Sequence, residues 1–479
     1  YELKKIIPML FMFGLISLNY SLLRNAKDAQ LITSAGAEVI PFIKVWGVLP
    51  GSIIFMLFFA KMSNAFEQRK LFFYSLVPFL AFFAIFSFVL YPLRDSIHPI
   101  ALCDYLEGIL PSSMMFLKSF IGMFRYWTFS LFYIMAELWG SVALSLLFWS
   151  FANEITKISE AKRFYSLFGI GANIALVAVK PIGSFISQAG LHLTEETEQW
   201  GVSLIYLGII VTISTVAIMM IHEWIHRNVL TDERFYDPNA EKKAKKSKPK
   251  MTMGESIKFL FSSKYLFLVA AIVLAYNISI NLIEVSWKNQ VRLLYPTKAE
   301  YYDFISNYSL YLGVTTIIMM LFVAGNVMRR FGWTVGALCT PFILLVSGAG
   351  FFAFIIFSDT FAPLCEILGM TPLFLAVMFG TVQNIMSKSC KYSLFDPTKE
   401  MAYIPLDSES KTKGKAAIDV VGARLGKAGG AVVQQVLLVF GTLSEITIPI
   451  AIILFGIIGG WLVSVKSLGK LFNSLTKEK

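Results

Sequence analysis

TKGKAAIDVVGARLGKAGGAVVQQVLLVF, residues 412–440, is long enough to cross a bilayer, yet it carries Lys415, Asp419, Arg424 and Lys427, then Gln434 and Gln435. If a helix spans residues 414–441, Lys427 falls near mid-membrane. A charge there costs roughly 3 kcal/mol or more unless it faces a partner or a wet cavity. Asp419 neutralises only one of the three cations. At about 100° per residue, Arg424, Lys427 and Gln434 lie close to one face, and Lys415 with Asp419 forms an i,i+4 pair on another. Gly426, Gly429 and Gly430 leave room for a second backbone or a ligand. The stretch reads as an anion site inside a membrane protein. The plainer reading is a structural network of buried ion pairs; the site is preferred because intramembrane charges default to pathway residues.

The rest of the chain supplies the membrane. Of 479 residues 56% are hydrophobic and 15% charged, and mean hydropathy is +0.66. A soluble domain carries nearer a quarter charged residues, so the expected class is an all-α polytopic membrane protein. A net charge of +11 would suggest nucleic acid in a soluble chain. Here the bias of Lys and Arg toward cytoplasmic loops explains much of it, and no nucleic-acid partner is expected. Cys103, Cys339, Cys365 and Cys390 lack metal or disulfide spacing, and no cofactor or metal is expected. The chain opens at Tyr1 rather than Met, so a leader peptide cannot be judged.

About twelve spans are expected from apolar runs of roughly 20 residues. Six lie at 6–23, 40–60, 71–91, 126–151, 164–187 and 202–225, and six at 265–287, 308–327, 333–357, 371–387, 414–441 and 446–465. Two six-helix bundles, 1–226 and 265–479, would flank a cytoplasmic linker at 227–264 that holds EKKAKKSKPK. Residues 251–263 read as an amphipathic interfacial helix. Basic residues recur in alternate loops, at Lys61, Arg69 and Lys70, at Lys157, Lys162 and Arg163, at Arg329 and Arg330, and at Lys466 and Lys470. Both termini are therefore expected in the cytoplasm. Residues 95–123 are long and partly apolar and read as re-entrant or interfacial. ISLN ending at Asn19, followed by Lys27, echoes ISIN ending at Asn281, followed by Lys288, as a duplicated transporter requires.

Other spans carry charge too. Span 1 ends LLRNAKD, with Tyr20, Arg24 and Lys27 on one face and Asp28 adjoining; an interfacial anchor and a functional cluster explain it equally well. Lys44 lies in the first turn of span 2, where it can snorkel. Glu137 sits mid-way along span 4 and must be paired, protonated or hydrated. Asn277, Asn281, Glu284 and Lys288 form a polar stripe along span 7 that reads as cavity lining, with interhelical hydrogen bonding the alternative. Asn384, Lys388 and Lys391 share a face of span 10, and Asp396, Lys399, Glu400 and Asp407 after it suggest either a gate of ion pairs or a solvated loop. The interior balance is positive, which suits a polyanion; Lys binds phosphate as a point charge and Arg adds bidentate capture. No Walker A run is present, and no hydrolytic enzyme is expected.

One motif points elsewhere. His222-Glu223-Trp224-Ile225-His226 matches the H-E-x-x-H zinc-protease pattern, so an intramembrane metalloprotease is a remote alternative. It sits at the end of span 6, where headgroups solvate His and Glu, and no third ligand appears in a neighbouring span.

The runs LLRNAKD, AELWGS with LLFWSFAN, INLIEVSWK, SKSCKYSLFDPTKEMAYIPLD, KGKAAIDVV and GKAGGAVVQQ together resemble the ATP/ADP translocase (nucleotide transporter) family of plant plastids and obligate intracellular bacteria such as chlamydiae and rickettsiae. The likeness covers essentially the whole chain. It implies a major-facilitator-like fold with a central site, and exchange of ATP for ADP plus phosphate by alternating access. Residues important for transport in that family match here as Lys44, Glu137, Glu284 and Lys427. The resemblance also places Lys415 and Asp419 on the substrate-contacting helix; with the intramembrane residues read above, the expected substrate-binding set is Arg24, Lys27, Lys44, Glu137, Asn281, Glu284, Lys288, Lys391, Lys415, Asp419 and Lys427. The family's span-1 motif often reads Arg-Asp-x-Lys-Asp, whereas this chain has Asn25 at the second position. Relatives that import nucleotides with protons, or exchange several nucleotides, are the alternatives. A monomer in contact with membrane lipid is expected, in a bacterial inner membrane or, alternatively, a plastid inner envelope.

Overall fold

A computed structural model describes residues 2–111, 114, 116–156, 158–231, 255, 258, 260–261, 263–406, 414–415, 418, 426 and 428–477. Asp407, Asp419, Arg424, Lys427 and the EKKAKKSKPK run lie outside the described residues, as does most of the expected interfacial helix. Every long described element is a helix and none of the described residues is in a strand. Lipid offers the backbone no hydrogen bonds, so a spanning segment must satisfy its own.

The chain divides into two compact units. Unit 1 draws on Tyr1–Pro111, Leu117–Lys246 and Tyr295–Val314; unit 2 on Ser112–Phe116, Ser247–Leu294 and Thr315–Lys479. Among the described residues nine helical runs are long and apolar enough to cross a membrane, or ten if Ser358–Ile367 and Pro372–Ala402, bent by 97°, make one broken span. One of the nine, Lys298–Ile356, has 59 residues. At 1.5 Å per residue a straight helix of that length would run about 88 Å, nearly three hydrocarbon thicknesses. Gly332, with φ 78° and ψ 178°, breaks it between the expected spans 308–327 and 333–357. A side chain is strained in that backbone region.

In unit 1 the first helix, α1 (Glu2–Ala35), ends at Gly36 with φ 92°. It runs twelve residues past the end of the expected span, so LLRNAKD lies inside a continuous helix and not at its end. Span 2 is built from α2 (Val39–Ile43), a π-helical turn at Lys44–Val48 and α3 (Leu49–Ala65). After α4 (Gln68–Ile85) come α5 (Arg94–Ile97), α6 (Ile100–Gly108) and α7 (Leu117–Arg125). Span 4 is α8 (Trp127–Trp139), a π-helical stretch at Gly140–Phe148 and α9 (Trp149–Ile155), followed by α10 (Ile158–Gln188) and α11 (Glu196–Asn228). α1 packs against α8, α10 and α11. Leu3, Ile7 and Phe11, four residues apart on α1, are more than half exposed while Met9, Met12 and Ile16 are buried. An outward apolar stripe suits lipid, and it leaves the inner face free to carry polar groups.

In unit 2, α12 (Lys264–Leu294) is the central helix. α13 (Lys298–Ile318) leads through a π-helical turn at Met319–Val323 into α14 (Ala324–Ile356). Then come α15 (Ser358–Ile367), α16 (Pro372–Cys390), a π-helical turn at Lys391–Phe395, α17 (Asp396–Ala402), α18 (Ala428–Leu438) and α19 (Thr447–Lys477). α12 packs against α16 and α19, and α14 against the same two.

Candidate functional site

Unit 1 gathers its charge where α1 meets α8. Lys27 is 1% exposed; its Nζ lies 2.8 Å from Asp28 Oδ1, 3.0 Å from Glu137 Oε1 and 3.7 Å from the centre of the Tyr133 ring. Two carboxylates and an aromatic face replace the water that burial removes. Lys27, Lys44 and Arg24 all act electrostatically on the Glu137 carboxylate. Local packing fixes the helices: Trp139 Nε1 donates to Ile16 O at 3.2 Å, and Tyr20 lies directly over the space a side chain at Gly140 would need. Lys44 opens the π-helical turn of span 2, and Gly140 opens another three residues after Glu137. Such turns re-aim side chains within a helix and recur at functional sites. The two acids, Asp28 and Glu137, thus meet three cations, Arg24, Lys27 and Lys44.

Unit 2 has a second cluster where α12 meets α16. Glu284 Oε1 is 3.4 Å from Lys288 Nζ and 3.2 Å from Lys388 Nζ, and all three side chains are at most 11% exposed. Trp287 Nε1 donates to Val377 O at 3.3 Å and Thr381 Oγ1 at 3.2 Å, and its ring fills the space beside Gly380. One carboxylate therefore serves two buried ammonium groups. The span-7 stripe faces inward: Asn281 and Glu284 are buried, and Asn281 Nδ2 donates to Asn277 O at 2.8 Å. Gly426 and Gly430 press onto this stripe. A Cβ at either would stand 2.6 Å from Asn277 Cβ or 2.7 Å from Asn281 Cβ, and Gln434 Nε2 reaches Asn281 O at 3.3 Å. The glycine spacing read from the sequence thus seats a helix backbone directly on the polar face of α12.

The remaining expected residues are placed differently. Lys391 is turned by its π-helical bend away from Glu284 and bonds Asp396 Oδ2 at 2.8 Å, with the Tyr392 ring 4.5 Å away. Lys415 is exposed and bonds Glu400 Oε2 at 2.6 Å. Lys399 also approaches Glu400, at 3.6 Å. The polar loop after span 10 therefore carries ion pairs. Asp419 and Lys427 lie outside the described residues.

The H-E-x-x-H motif is occupied by other contacts. His222 is buried and stacks on Phe72, ring centres 4.0 Å apart and 4° from parallel. Glu223 is held by both Arg69 and Arg227. Among the described residues no group of three His, Cys, Asp or Glu side chains is placed to hold a metal ion.

Three participants, Tyr133, Lys180 and Asp303, were not singled out by sequence, and a fourth was singled out but not paired. Tyr133 reads as an ordinary span aromatic. Lys180 and Asp303 bond at 3.0 Å in unit 1; a lysine two turns before the end of an expected span was the available signal. Lys388 was seen on the face of span 10 but not assigned to Glu284, because only the packing of α12 against α16 pairs them.

The profile of the family described as TLC ATP/ADP transporter matches residues 1–472. The chain is 53% identical over 482 residues to ADP,ATP carrier protein 1 of Chlamydia trachomatis, covering 100% of this chain and 90% of that one. It is 47% identical over 480 residues to the chloroplastic ADP,ATP carrier protein 2 of Arabidopsis thaliana, covering 100% of this chain and 76% of that one. Among solved structures, a bacterial homologue of the iron transporter ferroportin superposes with TM-score 0.58 at 14% identity, over 97% of this chain and 99% of that one. A D-xylose–proton symporter superposes with TM-score 0.54 at 13% identity, over 97% and 96%. These likenesses give the fold: an all-α, multi-pass, major-facilitator-like membrane protein. With a profile match over almost its whole length and relatives of this similarity, the chain belongs to the TLC ATP/ADP transporter family.

Proposed function

We propose that the protein is a nucleotide antiporter, not an enzyme, that exchanges ATP for ADP plus phosphate by alternating access. The observation that carries the reading is a buried cluster in each unit in which lysines are held by carboxylates and, among the described residues, cations outnumber acids: three to two around Glu137, two to one around Glu284. A buried charge is tolerated only while partnered. A polyphosphate satisfies the same lysines, so Glu137 and Glu284 hold them between guests and yield them to one. Arg24, Lys27, Lys44, Lys288 and Lys427 are assigned to phosphate, with Lys391, Lys415 and Asp419 on the approach to it. Asn281 is assigned to the nucleoside. An empty site of mutually repelling cations resists the closed intermediate, which favours exchange over leak.

ATP carries about one more negative charge than ADP, and one charge across 100 mV is worth roughly 2.3 kcal/mol. Co-movement of phosphate with ADP offsets that difference. The protein is assigned to a bacterial inner membrane as a monomer, with lipid around it, both termini cytoplasmic, and the bundles 1–226 and 265–479 joined by the basic linker.

Reconstituted into liposomes, the protein is expected to take up labelled ATP when preloaded with ADP and phosphate, and to slow when phosphate is omitted. Glu137→Ala and Lys427→Ala should each abolish uptake while still reaching the membrane. Equal uptake by empty vesicles under an inward proton gradient would replace exchange with proton-coupled import. Near-normal uptake by both variants would refute the site.

A further inference from the structure

Residues 295–314 leave unit 2 in chain order, pack into unit 1 and return. Their contacts fall on one face of α13. Lys298 N–H donates to Glu196 Oε1 at 3.3 Å, and the ring of Tyr302, fully buried, lies 5.6 Å from Trp200. Asp303 is gripped by Lys180 Nζ at 3.0 and 3.1 Å, by Ser184 Oγ at 2.7 Å and by Asn307 Nδ2 at 3.2 Å. Ser306 lies on the space beside Gly183, and Asn173 O stands 2.8 Å from where a Cβ at Gly313 would be. Between them Ser309 Oγ accepts from Asn25 Nδ2 at 3.3 Å. The positions 298, 302, 306, 309 and 313 repeat at helical spacing, so a single rigid-body movement of α13 makes or breaks them together.

Asn25 stands between Arg24 and Lys27 on α1 and is 2% exposed. The face of α13 therefore meets α1 at the level of the ion cluster, on a side of that helix turned away from Lys27. At its other end the grip is ionic and only partly buried, with Lys180 25% and Asp303 35% exposed. That combination suits a contact made and released repeatedly: a half-wet ion pair sacrifices less on opening than a dry one.

We propose that residues 298–313 act as a latch closing unit 1 beside the Lys27–Glu137 cluster, with Lys180–Asp303 as its catch and Asn25–Ser309 as its link to the bound nucleotide. Asn25 and Asp303 are positioning residues; neither is assigned to substrate. The latch makes exchange obligatory, because an empty cluster keeps it shut and a guest displacing Lys27 shifts α1 and Asn25 with it. The role in exchange rests on the transport reading above; the opening of the latch does not.

The test uses full-length protein in liposomes with Ser306→Cys as reporter, and reads alkylation of that position by a maleimide through peptide mass spectrometry. Asp303→Asn should speed alkylation about tenfold, the loss of one charge-assisted contact. The exchange of charges, Lys180→Asp with Asp303→Lys, should return it to within about twofold. In the same vesicles Asp303→Asn and Asn25→Ala should release preloaded labelled ATP without external nucleotide several-fold faster than the parent, with ATP binding to the purified protein unchanged. Unchanged alkylation in Asp303→Asn, or no recovery on charge exchange, overturns the latch. Faster alkylation without faster leak, in protein that exchanges ATP for ADP, overturns its role in exchange. A parent protein that exchanges no nucleotide breaks the transport reading instead, and alkylation still decides the latch.

Discussion

In unit 1 the first helix supplies the cation, Lys27, and the fourth span the carboxylate, Glu137; in unit 2 the corresponding central helix supplies Glu284 and its partner span supplies Lys388. Each junction is pinned by a tryptophan donating to a carbonyl on the other helix, Trp139 to Ile16 and Trp287 to Val377. Each has a glycine under an aromatic ring, Gly140 under Tyr20 and Gly380 under Trp287. A π-helical turn begins three residues after Glu137 and three residues after Lys388. The scaffold is repeated while the charges trade sides. A helix junction fixes where a charge stands, and either sign satisfies the junction so long as a partner faces it.

The stoichiometry differs as well. Lys27 has two acids at 2.8 and 3.0 Å, whereas Glu284 is shared by two lysines at 3.2 and 3.4 Å. Unit 1 therefore sets two acids on one lysine, and unit 2 sets two lysines on one acid, among the described residues.

Removing the shared acid should have the largest effect. Glu284→Ala leaves two buried ammonium groups without it and should cost about 3–5 kcal/mol of stability. Glu137→Ala leaves Asp28 on Lys27 and should cost about 1–2 kcal/mol. Thermal unfolding of the purified variants measures both, and equal losses would end the distinction between the clusters. Next come the glycines. Gly140→Ala and Gly380→Ala should each cost about 1–3 kcal/mol by overpacking the rings. Gly429→Ala, whose nearest neighbour would be 3.6 Å away, should stay within about 0.5 kcal/mol. Similar losses at all three would show that the ring contacts do not pin the junctions.

The smallest effect concerns pH and separates the units by composition, since His98, His192, His222 and His226 all belong to unit 1. His98, outside the spans, bonds Thr128 Oγ1 at 2.7 Å; burial lowers its pKa, against Asp95 and together with Arg94. The unfolded chain gains the proton near pH 6.5 while the folded one resists, so stability present above that pH is lost below it, by at most about 1.4 kcal/mol per pH unit. The hydrogen-exchange protection of residues 94–125, with each rate taken relative to the intrinsic amide rate at the same pH, should fall between about pH 7.5 and about pH 5.5 in the parent and not in His98→Phe. Identical profiles would remove His98 from the account.

Hydropathy and spacing determined the membrane class, the approximate spans, the inward face of α12 and the glycines that seat a helix on Asn277 and Asn281, because each is a local consequence of lipid contact or helical period. They also marked Glu137, Glu284 and Lys427 as costly wherever they lay. Tertiary structure alone decided the pairing. Lys388 belongs to Glu284 while Lys391, three residues on, belongs to Asp396, across the π-helical turn that begins at Lys391. Lys415 reaches Glu400 at the surface, 15 positions back along the chain. Lys180 meets Asp303, 123 positions along the chain, because α13 enters unit 1. A sequence prices a charge by its depth; which partner meets that cost depends on helices brought together from distant parts of the chain.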